Sequence, residues 1–335
     1  MQTKEKPLSS PIDRNIALEL ARVTEAAALM AARWMGRGDK EAADQAAVDA
    51  MRAVLGTVSM DGIVVIGEGA KDEAPMLYVG EQVGTGVEPK VDIAVDPIDG
   101  TRLLSLGMPN AISVVALADR GSLFSSPDIM YMEKIAVGPE AAHAIDLAAT
   151  PTQNVRAIAR AKYWGVNDIT AVVLDRPRHE ELIRELRAAG ARIKLITDGD
   201  VAGAVMAATA GTGVDALFGI GGAPEAVVAA CAIKCIGGAI QCRLWPRNDE
   251  ERRIVKEKKI DVRRILTQDD LVKSDNAFFA ATGITDGELL RGVHFSADGA
   301  TTQSLVMRSR TGTIRKIDAA HRVKKLREMS NLPFD

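Results

Sequence analysis

Two stretches near the N-terminus carry apolar residues at the spacing of amphipathic helices. In the first, SPIDRNIALELARVTEAAALMAARWMGRG, Ser10 is the predicted N-cap, Pro11 takes the first helical position, and Gly36 and Gly38 end the helix. The second, KEAADQAAVDAMRAVLG, predicts a helix over residues 40–56. Residues 1–13 are predicted to form a disordered N-terminal arm, which overlaps the start of the first helical pattern at Pro11.

Short apolar runs then replace the helical spacing, and each predicts a strand. They are GIVVIGEG, VDIAV, AISVVALADRGSLF and MYMEKIAVG. From about residue 149 three strand–loop–helix units follow one another: TAVVLDRPRHEELIRELRAAG, RIKLITDGDVAGAVMAATAG and VDALFGIGGAPEAVVAACAIKCIGG. This order favours an α/β fold with a parallel or mostly parallel sheet, in which ligands lie at the carboxyl ends of the strands.

The change of sequence pattern near residue 149 predicts two lobes, over residues 14–150 and 151–335. In the second lobe, residues 247–264 carry charges of both signs and predict a solvated helix. Residues 276–283 and 304–317 read as strands that close this lobe.

Composition narrows the class of protein. The 335-residue chain has a net charge of −3, so it has no overall basic character that would favour nucleic acid as a partner. Its three cysteines, Cys231, Cys235 and Cys242, do not form a disulfide framework, and the first two are expected to be buried on a helix. No signal sequence or membrane span is predicted, and we expect a cytoplasmic protein.

The stretch VDIAVDPIDGTRLL places two carboxylates where an apolar strand ends. Pro97 has no N–H to donate to a neighbouring strand, so the strand is predicted to stop there, with Asp96 at its carboxyl end. Asp99 and Gly100 then form a turn, and Thr101 is placed to cap the next helix. An ordinary Asp-Gly turn with a helix cap is therefore one interpretation of this stretch.

Three more acids make a second interpretation stronger. Asp44 lies on the apolar face of its predicted helix, Glu68 stands between two glycines after the run IVVI, and Glu225 follows GIGGAP at a strand-to-helix turn. Carboxylates without His or Cys are typical ligands of Mg²⁺ or Mn²⁺, which often bind substrate phosphate. With Arg176 and Arg178 available for a second phosphate, the residues suggest a metal-dependent hydrolase of a small phosphorylated compound.

Six motifs, in order, resemble those of the bacterial class II fructose-1,6-bisphosphatases of the GlpX type: GEGAKDEAPML, DPIDGT, MYMEK, RPRH, DGDVA and GIGGAPE. The resemblance spans about residues 14–325. DPIDGT by itself points only to the wider superfamily of lithium-sensitive metal-dependent phosphatases, which includes the inositol monophosphatases. The resemblance implies a layered α-β-α-β-α sandwich of the sugar phosphatase and inositol monophosphatase type, and hydrolysis of the 1-phosphate of fructose 1,6-bisphosphate.

The resemblance also implies roles for individual residues. The first lobe would bind metal and catalyse, while the second would bind the sugar phosphate and supply Glu225 to the metal. The implied metal ligands are Asp44, Glu68, Asp96, Asp99 and Glu225. The implied catalytic residues are Thr101, whose hydroxyl would meet the attacking water, together with Asp72 and Glu68. The implied substrate-binding residues are Asp99, Gly100, Thr101, Tyr131, Arg176, Pro177, Arg178, Asp198, Gly199, Asp200 and Gly222.

Some of these residues also have structural interpretations. Tyr131 could be a packed aromatic with a satisfied hydroxyl, and Asp198 could be a helix N-cap. The chain departs from the family pattern at Ala70, where an acid is usual, and at Asp99, where some relatives have Glu. The first change would weaken metal binding or alter the loop, the shorter arm of Asp99 would shift one metal slightly, and neither removes a main ligand.

Three other functions compete with this one. FGIGGAPEAVVAACAI resembles a dinucleotide fingerprint, but Pro224 stands where its third glycine should be and no acid follows at the expected distance. A non-catalytic homologue would not need the acids and Thr101. Sedoheptulose 1,7-bisphosphate is the alternative substrate, alone or in a dual-specificity enzyme. The resemblance further favours a homodimer or homotetramer.

Overall fold

The computed structural model describes residues 11–67, 77–126 and 128–322. Its strands are, in chain order, β1 (Asp61–Ile66), β2 (Gln82–Val83), β3 (Lys90–Asp99), β4 (Ile112–Asp119), β5 (Tyr131–Val137), β6 (Thr170–Leu174), β7 (Arg192–Ile196), β8 (Ala216–Gly222), β9 (Ala239–Leu244), β10 (Leu266–Thr267), β11 (Phe278–Gly283), β12 (His294–Ser296), β13 (Gly299–Arg308) and β14 (Thr313–His321). Its α-helices are α1 (Pro11–Ala31), α2 (Lys40–Leu55), α3 (Thr101–Ser105), α4 (Pro151–Ala161), α5 (Glu180–Ala188), α6 (Asp200–Ala208), α7 (Ala223–Ile236), α8 (Asp249–Lys258) and α9 (Gln268–Leu271).

Both predicted N-terminal helices are present. α1 starts at Pro11 as expected, while the predicted cap Ser10 lies outside the described residues. The helix ends before Gly36, because a 3-10 turn over Ala32–Trp34 follows it directly. α2 begins after Asp39, whose carboxylate accepts from the N–H of Ala42 at 3.0 Å.

The first sheet has the strand order β12-β13-β11-β4-β3-β1-β2, and β14 also pairs with β13. β1 and β3 run parallel, while β4, β11 and β13 are antiparallel to their neighbours. β4 lies in the middle of this sheet and is buried on both faces along almost its whole length. Its near-continuous apolar sequence follows from this position, because helices cover both sides of the strand.

The second sheet has the order β10-β9-β5-β8-β6-β7. β6 is parallel to both β7 and β8, which confirms the predicted parallel units. The sheet as a whole is mixed, because β5 lies between β8 and β9 and is antiparallel to both. This pairing brings the start of β5 to the carboxyl end of β8.

The helices and the two sheets form five layers. α1 and α2 pack on the outer face of the first sheet, in a core that includes Leu20, Met51 and Ile93. α6 and α7 lie between the sheets, and each helix contacts strands of both. α4 and α5 cover the outer face of the second sheet through residues such as Ile158 and Leu186. The predicted α-β-α-β-α sandwich is therefore confirmed.

Strand pairing corrects one expectation about the final third of the chain. Its strands, β11 to β14, do not close the second lobe; they extend the first sheet next to β4. β5, which precedes residue 150, belongs to the second sheet. The apolar pattern identified these segments as strands, but it does not specify the partner, which is set by packing between distant parts of the chain.

Two further expectations concern burial. The charged segment forms α8, on which Glu251 alone is buried. Cys231, Cys235 and Cys242 are all buried free thiols, with the first two on α7. Within the described residues, no helix has the length and apolar character needed to cross a bilayer.

Candidate active site

A cavity of about 260 Å³ lies where the carboxyl ends of β3, β6 and β8 meet the start of β5 and the first turns of α3, α6 and α7. It is lined by Asp96, Ile98, Asp99, Gly100, Thr101, Tyr131, Leu174, Arg176, Arg178, Asp198, Gly199, Asp200, Gly221, Gly222 and Glu225. Most of the residues singled out in the sequence therefore come together here, from segments more than 120 positions apart. The strand ends of both sheets contribute, as expected for a ligand site in an α/β fold.

The first acidic pair is held by an irregularity in β3. The strand does not stop at Pro97 as predicted; it continues to Asp99 through a shift of register against β4 between Asp96 and Asp99. Such a bulge accommodates a residue that has no N–H to donate and re-aims its neighbours. The carboxylate of Asp96 accepts a hydrogen bond from the N–H of Ile98 at 3.1 Å, within the bulge itself.

Asp99 points into the layer between the sheets. Its side chain is almost fully buried, and one oxygen accepts from the N–H of Ala202 at 2.8 Å, in the first turn of α6. Burial, and next the charge of Asp200, raises the pKa of Asp99 well above its ordinary value. Burial and the neighbouring negative charge therefore favour either protonation of this carboxylate or a cation bound to it.

Thr101 does not cap the following helix, as was predicted. The N-cap of α3 is Gly100, in the left-handed region with φ 96° and ψ 45°, and Thr101 is the first helical residue. Its hydroxyl lies 3.0 Å from Asp44 Oδ1 and 3.2 Å from the carbonyl of Ile98 and can donate to either. Burial raises the pKa of Asp44 to about 6. The contact brings α2 and the DPIDGT segment together at the site.

The DGD segment between β7 and α6 takes a different form from the N-cap considered for Asp198. Gly199 is the N-cap of α6, with φ 79°, while Asp198 accepts from the N–H of Arg102 in the first turn of α3 at 3.1 Å. Asp198 therefore caps a free N–H at the start of α3, although it directly precedes α6 in the chain. Asp200 follows as the first residue of α6 and is buried.

Lys134 is a site residue that the sequence argument did not single out. Only 2% of its side chain is exposed, and its ammonium group donates to Asp200 Oδ2 at 2.6 Å and to the carbonyl of Gly222 at 3.1 Å. Burial acts to lower the pKa of Lys134, but the charges of Asp200 and Glu225 outweigh it and the pKa is raised. Strand alternation in MYMEK was the available signal, since it places Lys134 on the same face as buried Met132.

Glu225 lies in the first turn of α7, beneath Gly222. Burial, and next the charge of Asp200, raises the pKa of this carboxyl. Its Oε2 atom is buried and has no hydrogen-bond partner. A buried carboxylate oxygen without a partner is costly unless a cation or proton meets it. The residues present therefore fit a hard divalent cation, for which carboxylate oxygens are the preferred ligands.

The ligand set is incomplete within the described residues. Among them, no group of three or more His, Cys, Asp or Glu side chains is placed to hold a metal ion. Three positions lie outside the described residues: Glu68, predicted as a metal ligand and catalytic residue; Ala70, where the chain departs from the family pattern; and Asp72, predicted as a catalytic residue. Gly67 is the last described residue before them, directly after β1.

The other side of the cavity is basic and aromatic. Arg176 Nη2 lies 4.0 Å from Asp198, and Arg178 lies over the ring of Tyr131 at 5.3 Å from its centroid. Tyr131 is half-buried and packs edge-on against Trp245, with ring centroids 6.4 Å apart. Trp245 was not predicted to lie here.

One more residue, Arg247, borders this side next to Tyr131 without lining the cavity. Arg247, which was also not singled out, lies over the same Tyr131 ring at 5.6 Å. Trp245 and Arg247 follow the end of β9, and only the pairing of β9 with β5 brings them to the site. Pro177 does not line the cavity; it opens a 3-10 turn over Pro177–His179 that carries Arg178.

Comparison with known proteins agrees with this arrangement. A sequence model of bacterial fructose-1,6-bisphosphatase, glpX-encoded, matches residues 14–321. The fructose-1,6-bisphosphatase class 2 of Haemophilus influenzae is 46% identical over 334 residues, covering 96% of this chain and 100% of that protein. The fructose-1,6-bisphosphatase 1 class 2 of Escherichia coli K12 is 46% identical over 321 residues, covering 92% and 95%. The chain therefore belongs to the GlpX-type family of bacterial fructose-1,6-bisphosphatases.

Proposed function

We propose that this protein hydrolyses the 1-phosphate of fructose 1,6-bisphosphate, with Mg²⁺ or Mn²⁺, to give fructose 6-phosphate and phosphate. The observation that carries the proposal is the polarity of one cavity. Carboxylates and the Thr101 hydroxyl line the cavity at the end of β3 and the starts of α3, α6 and α7, while Arg176, Arg178 and Tyr131 line it after the end of β6 and at the start of β5. A small molecule with a phosphate at each end matches this division, because one end needs cation-assisted hydrolysis and the other needs only binding.

The proposed metal ligands are Asp44, Glu68, Asp96, Asp99 and Glu225. All of them offer oxygen, and the unpartnered Oε2 of Glu225 supports their assignment. Bound divalent cations would supply Lewis acidity towards a phosphoryl oxygen and lower the pKa of water. Lys134 stabilises this cluster of carboxylates, because its ion pair with Asp200 offsets one of the negative charges.

Thr101 is the proposed partner of the attacking water. Since its hydroxyl proton is directed to Asp44 Oδ1 or to the carbonyl of Ile98, the lone pairs of the oxygen are available to accept from a water in the cavity. Asp72 and Glu68 complete the proposed proton path. The role of Thr101 is to orient that water and to accept its proton at Oγ1 while passing its own hydroxyl proton to a carboxylate such as Asp44, as the water oxygen bonds to phosphorus and the bond from phosphorus to the sugar O1 breaks.

The basic and aromatic residues of the cavity are the proposed groups that orient the substrate. Arg176 and Arg178, with Pro177 shaping their turn, would hold the 6-phosphate, and guanidinium groups suit phosphate geometry. Tyr131 would contact the same end of the sugar. The sugar hydroxyls would meet the carboxylates and backbone of Asp99, Gly100, Thr101, Asp198, Gly199, Asp200 and Gly222.

Phosphate release from a panel of substrates tests the proposal. Fructose 1,6-bisphosphate should have the highest kcat/KM. Fructose 1-phosphate should have a higher KM with a smaller change in kcat, because it lacks the distal phosphate. Sedoheptulose 1,7-bisphosphate belongs in the panel, since it carries two phosphates at a similar separation. A higher kcat/KM for inositol monophosphate, or no hydrolysis of either bisphosphate with Mg²⁺ or Mn²⁺, would overturn the proposal.

We further propose a cytoplasmic homodimer or homotetramer, on the resemblance to the family alone. Light scattering of the purified full chain would give the mass in solution, for comparison with 35.7 kDa for one chain.

A further inference from the structure

The parallel pairing of β6 with β8 stops early. The last paired residues are Val172 and Leu217, although β6 continues to Leu174 and β8 to Gly222. β6 remains paired with β7 along its whole length, so the ladder opens only on the side of β8. Leu174 and Gly222 both line the cavity, and the opening therefore faces the candidate site.

The imidazole of His179 fills this opening. The side chain belongs to a residue that is only 1% exposed; Nδ1 lies 2.7 Å from the carbonyl of Leu174, and the N–H of Ile220 donates to Nε2 at 2.7 Å. A carbonyl can only accept and a backbone N–H can only donate. Nδ1 therefore carries the proton, Nε2 is unprotonated, and the neutral ring replaces ladder hydrogen bonds between the two strands.

Arg178 takes the other backbone group of Ile220. Its Nε and Nη2 donate to that carbonyl at 3.1 and 2.8 Å. Two consecutive side chains thus hold both the N–H and the C=O of one residue at the open end of β8. Gly219 lets the ring approach, since a Cβ there would lie 3.1 Å from the imidazole.

We infer that His179 is a positioning residue for phosphate recognition: by holding the N–H of Ile220, it fixes the carbonyl on which the guanidinium of Arg178 is anchored. This inference rests on the proposed function, in which Arg178 binds the distal phosphate of the substrate. His179 is not among the residues that line the cavity, so it acts through Arg178 and Ile220 and does not touch the substrate.

Two substitutions separate the two hydrogen bonds of the ring. In His179→Gln the side-chain amide reaches the position of Nε2 and can accept from Ile220. In His179→Asn it reaches the position of Nδ1 and can donate to Leu174 only. Arg178→Ala removes the guanidinium itself. Thermal unfolding of each full-length variant is recorded first, so that binding is compared only between folded proteins.

Binding of fructose 6-phosphate is then measured by calorimetry with the divalent cation present, while fructose 1-phosphate, which the enzyme would hydrolyse under these conditions, is compared through its KM. Fructose 6-phosphate carries only the distal phosphate, and fructose 1-phosphate carries only the other. We expect His179→Asn to weaken fructose 6-phosphate binding about tenfold, the effect of one lost hydrogen bond to a positioned group. His179→Gln should stay within about threefold of the wild type, and the KM for fructose 1-phosphate should be unchanged in both.

The outcomes distinguish the inference from the proposed function. If Arg178→Ala weakens fructose 6-phosphate binding but His179→Asn does not, the inference is wrong and the role of Arg178 stands. Equal losses for Asn and Gln, or equal losses for both monophosphates, also overturn the inference. If Arg178→Ala itself binds fructose 6-phosphate as the wild type does, the assigned distal phosphate site fails and the inference fails with it.

A spectroscopic measurement covers the case in which His179→Asn does not fold. The ¹⁵N shifts of the His179 ring in the wild-type protein, assigned by their loss in His179→Gln, report which nitrogen is protonated. The inference requires a protonated Nδ1 and an unprotonated, hydrogen-bonded Nε2. A protonated Nε2 near neutral pH would overturn it, because that nitrogen could not then accept from Ile220.

Discussion

Thr101 shows how a single side chain acquires a role that local sequence alone does not assign. In the sequence it looks like a helix cap, because a hydroxyl follows an Asp-Gly turn. In the structure Gly100 occupies the N-cap, and the hydroxyl can instead reach Asp44 across 57 residues of sequence. The local pattern could not predict this contact, since it depends on how α2 packs beside α3.

Replacing Thr101 tests whether its hydroxyl acts on the water. Thr101→Ala should lower kcat by roughly 10²-fold or more, the usual size of positioned proton-transfer assistance, with little change in KM. Thr101→Ser should keep substantial activity because it retains the hydroxyl. The melting temperature should fall by only a few degrees, since about 1 kcal/mol of hydrogen bonding is lost. Steady-state kinetics and thermal unfolding of both variants give the answer, and an alanine variant with near wild-type kcat contradicts it.

His179 should leave a signature in the dependence of stability on pH. Burial lowers the pKa of this histidine in the folded state, and the nearby charges of Arg178 and Arg176 act in the same direction. Because the folded pKa lies below the unfolded value of about 6.5, the unfolded state takes up the proton first as pH falls. The contribution of neutral His179 is therefore fully present above that pH and is lost progressively below it.

Chemical denaturation from pH 8 to pH 5 measures this contribution. The difference in unfolding free energy between the wild type and His179→Gln should be constant above about pH 7 and shrink as the pH falls, by at most about 1.4 kcal/mol per pH unit. Comparing the two proteins cancels the titration of the acidic residues that they share. A difference that grows towards low pH would mean that His179 is charged in the folded state.

At the scale of elements, the strand ends and helix starts of the site depend on close approaches of the backbone. Gly222, the N-cap of α7, has φ −61° and ψ 144°, a conformation that other residues also adopt. A Cβ at this position would overlap Oε2 of Glu225. An alanine at this position would therefore have to move the Glu225 carboxylate, although the backbone angles would accept it.

Gly222→Ala should for this reason displace Glu225 without disturbing the fold. We expect Mn²⁺ affinity to fall by about tenfold or more, within the range known for altered surroundings of metal ligands, while the melting temperature changes little. Gly56→Ala is the matched control, because Gly56 ends α2 with φ −60° and a Cβ there would meet no atom closer than 3.6 Å. Calorimetric metal titration of both variants is the measurement, and unchanged Mn²⁺ binding in Gly222→Ala would remove Glu225 from the proposed ligands.

The elements also mark what could be predicted from sequence. The three strand–loop–helix units were recognisable because their periodicity is local. The bulge at Pro97 and the antiparallel position of β5 were not, since a single sequence gives neither register nor partner. β5 is nonetheless essential to the site, because its pairing with β8 brings Tyr131 to the same cavity as Glu225 and places Lys134 against Asp200.

At the scale of the whole molecule, the site exists because two sheets and the helices between them meet at one end. Asp99 comes from the first sheet, Arg178 from the turn after β6, and Glu225 from α7. The acids could be identified in the sequence because each follows an apolar strand or lies on an apolar helix face. Trp245 and Arg247 could not, because nothing in their local sequence indicates that β9 lies beside β5.

We propose that this cavity directs a divalent cation to one phosphate of the substrate and holds the other phosphate in place. ³¹P NMR of fructose 1,6-bisphosphate with the chelated protein, followed by addition of Mg²⁺, or of Mn²⁺ that is removed before the spectrum is recorded, tests both parts at once. We expect no change with chelator present; after metal is added, the 1-phosphate signal alone should disappear as fructose 6-phosphate and free phosphate appear. Hydrolysis in the presence of chelator, or loss of the 6-phosphate signal first, would contradict it.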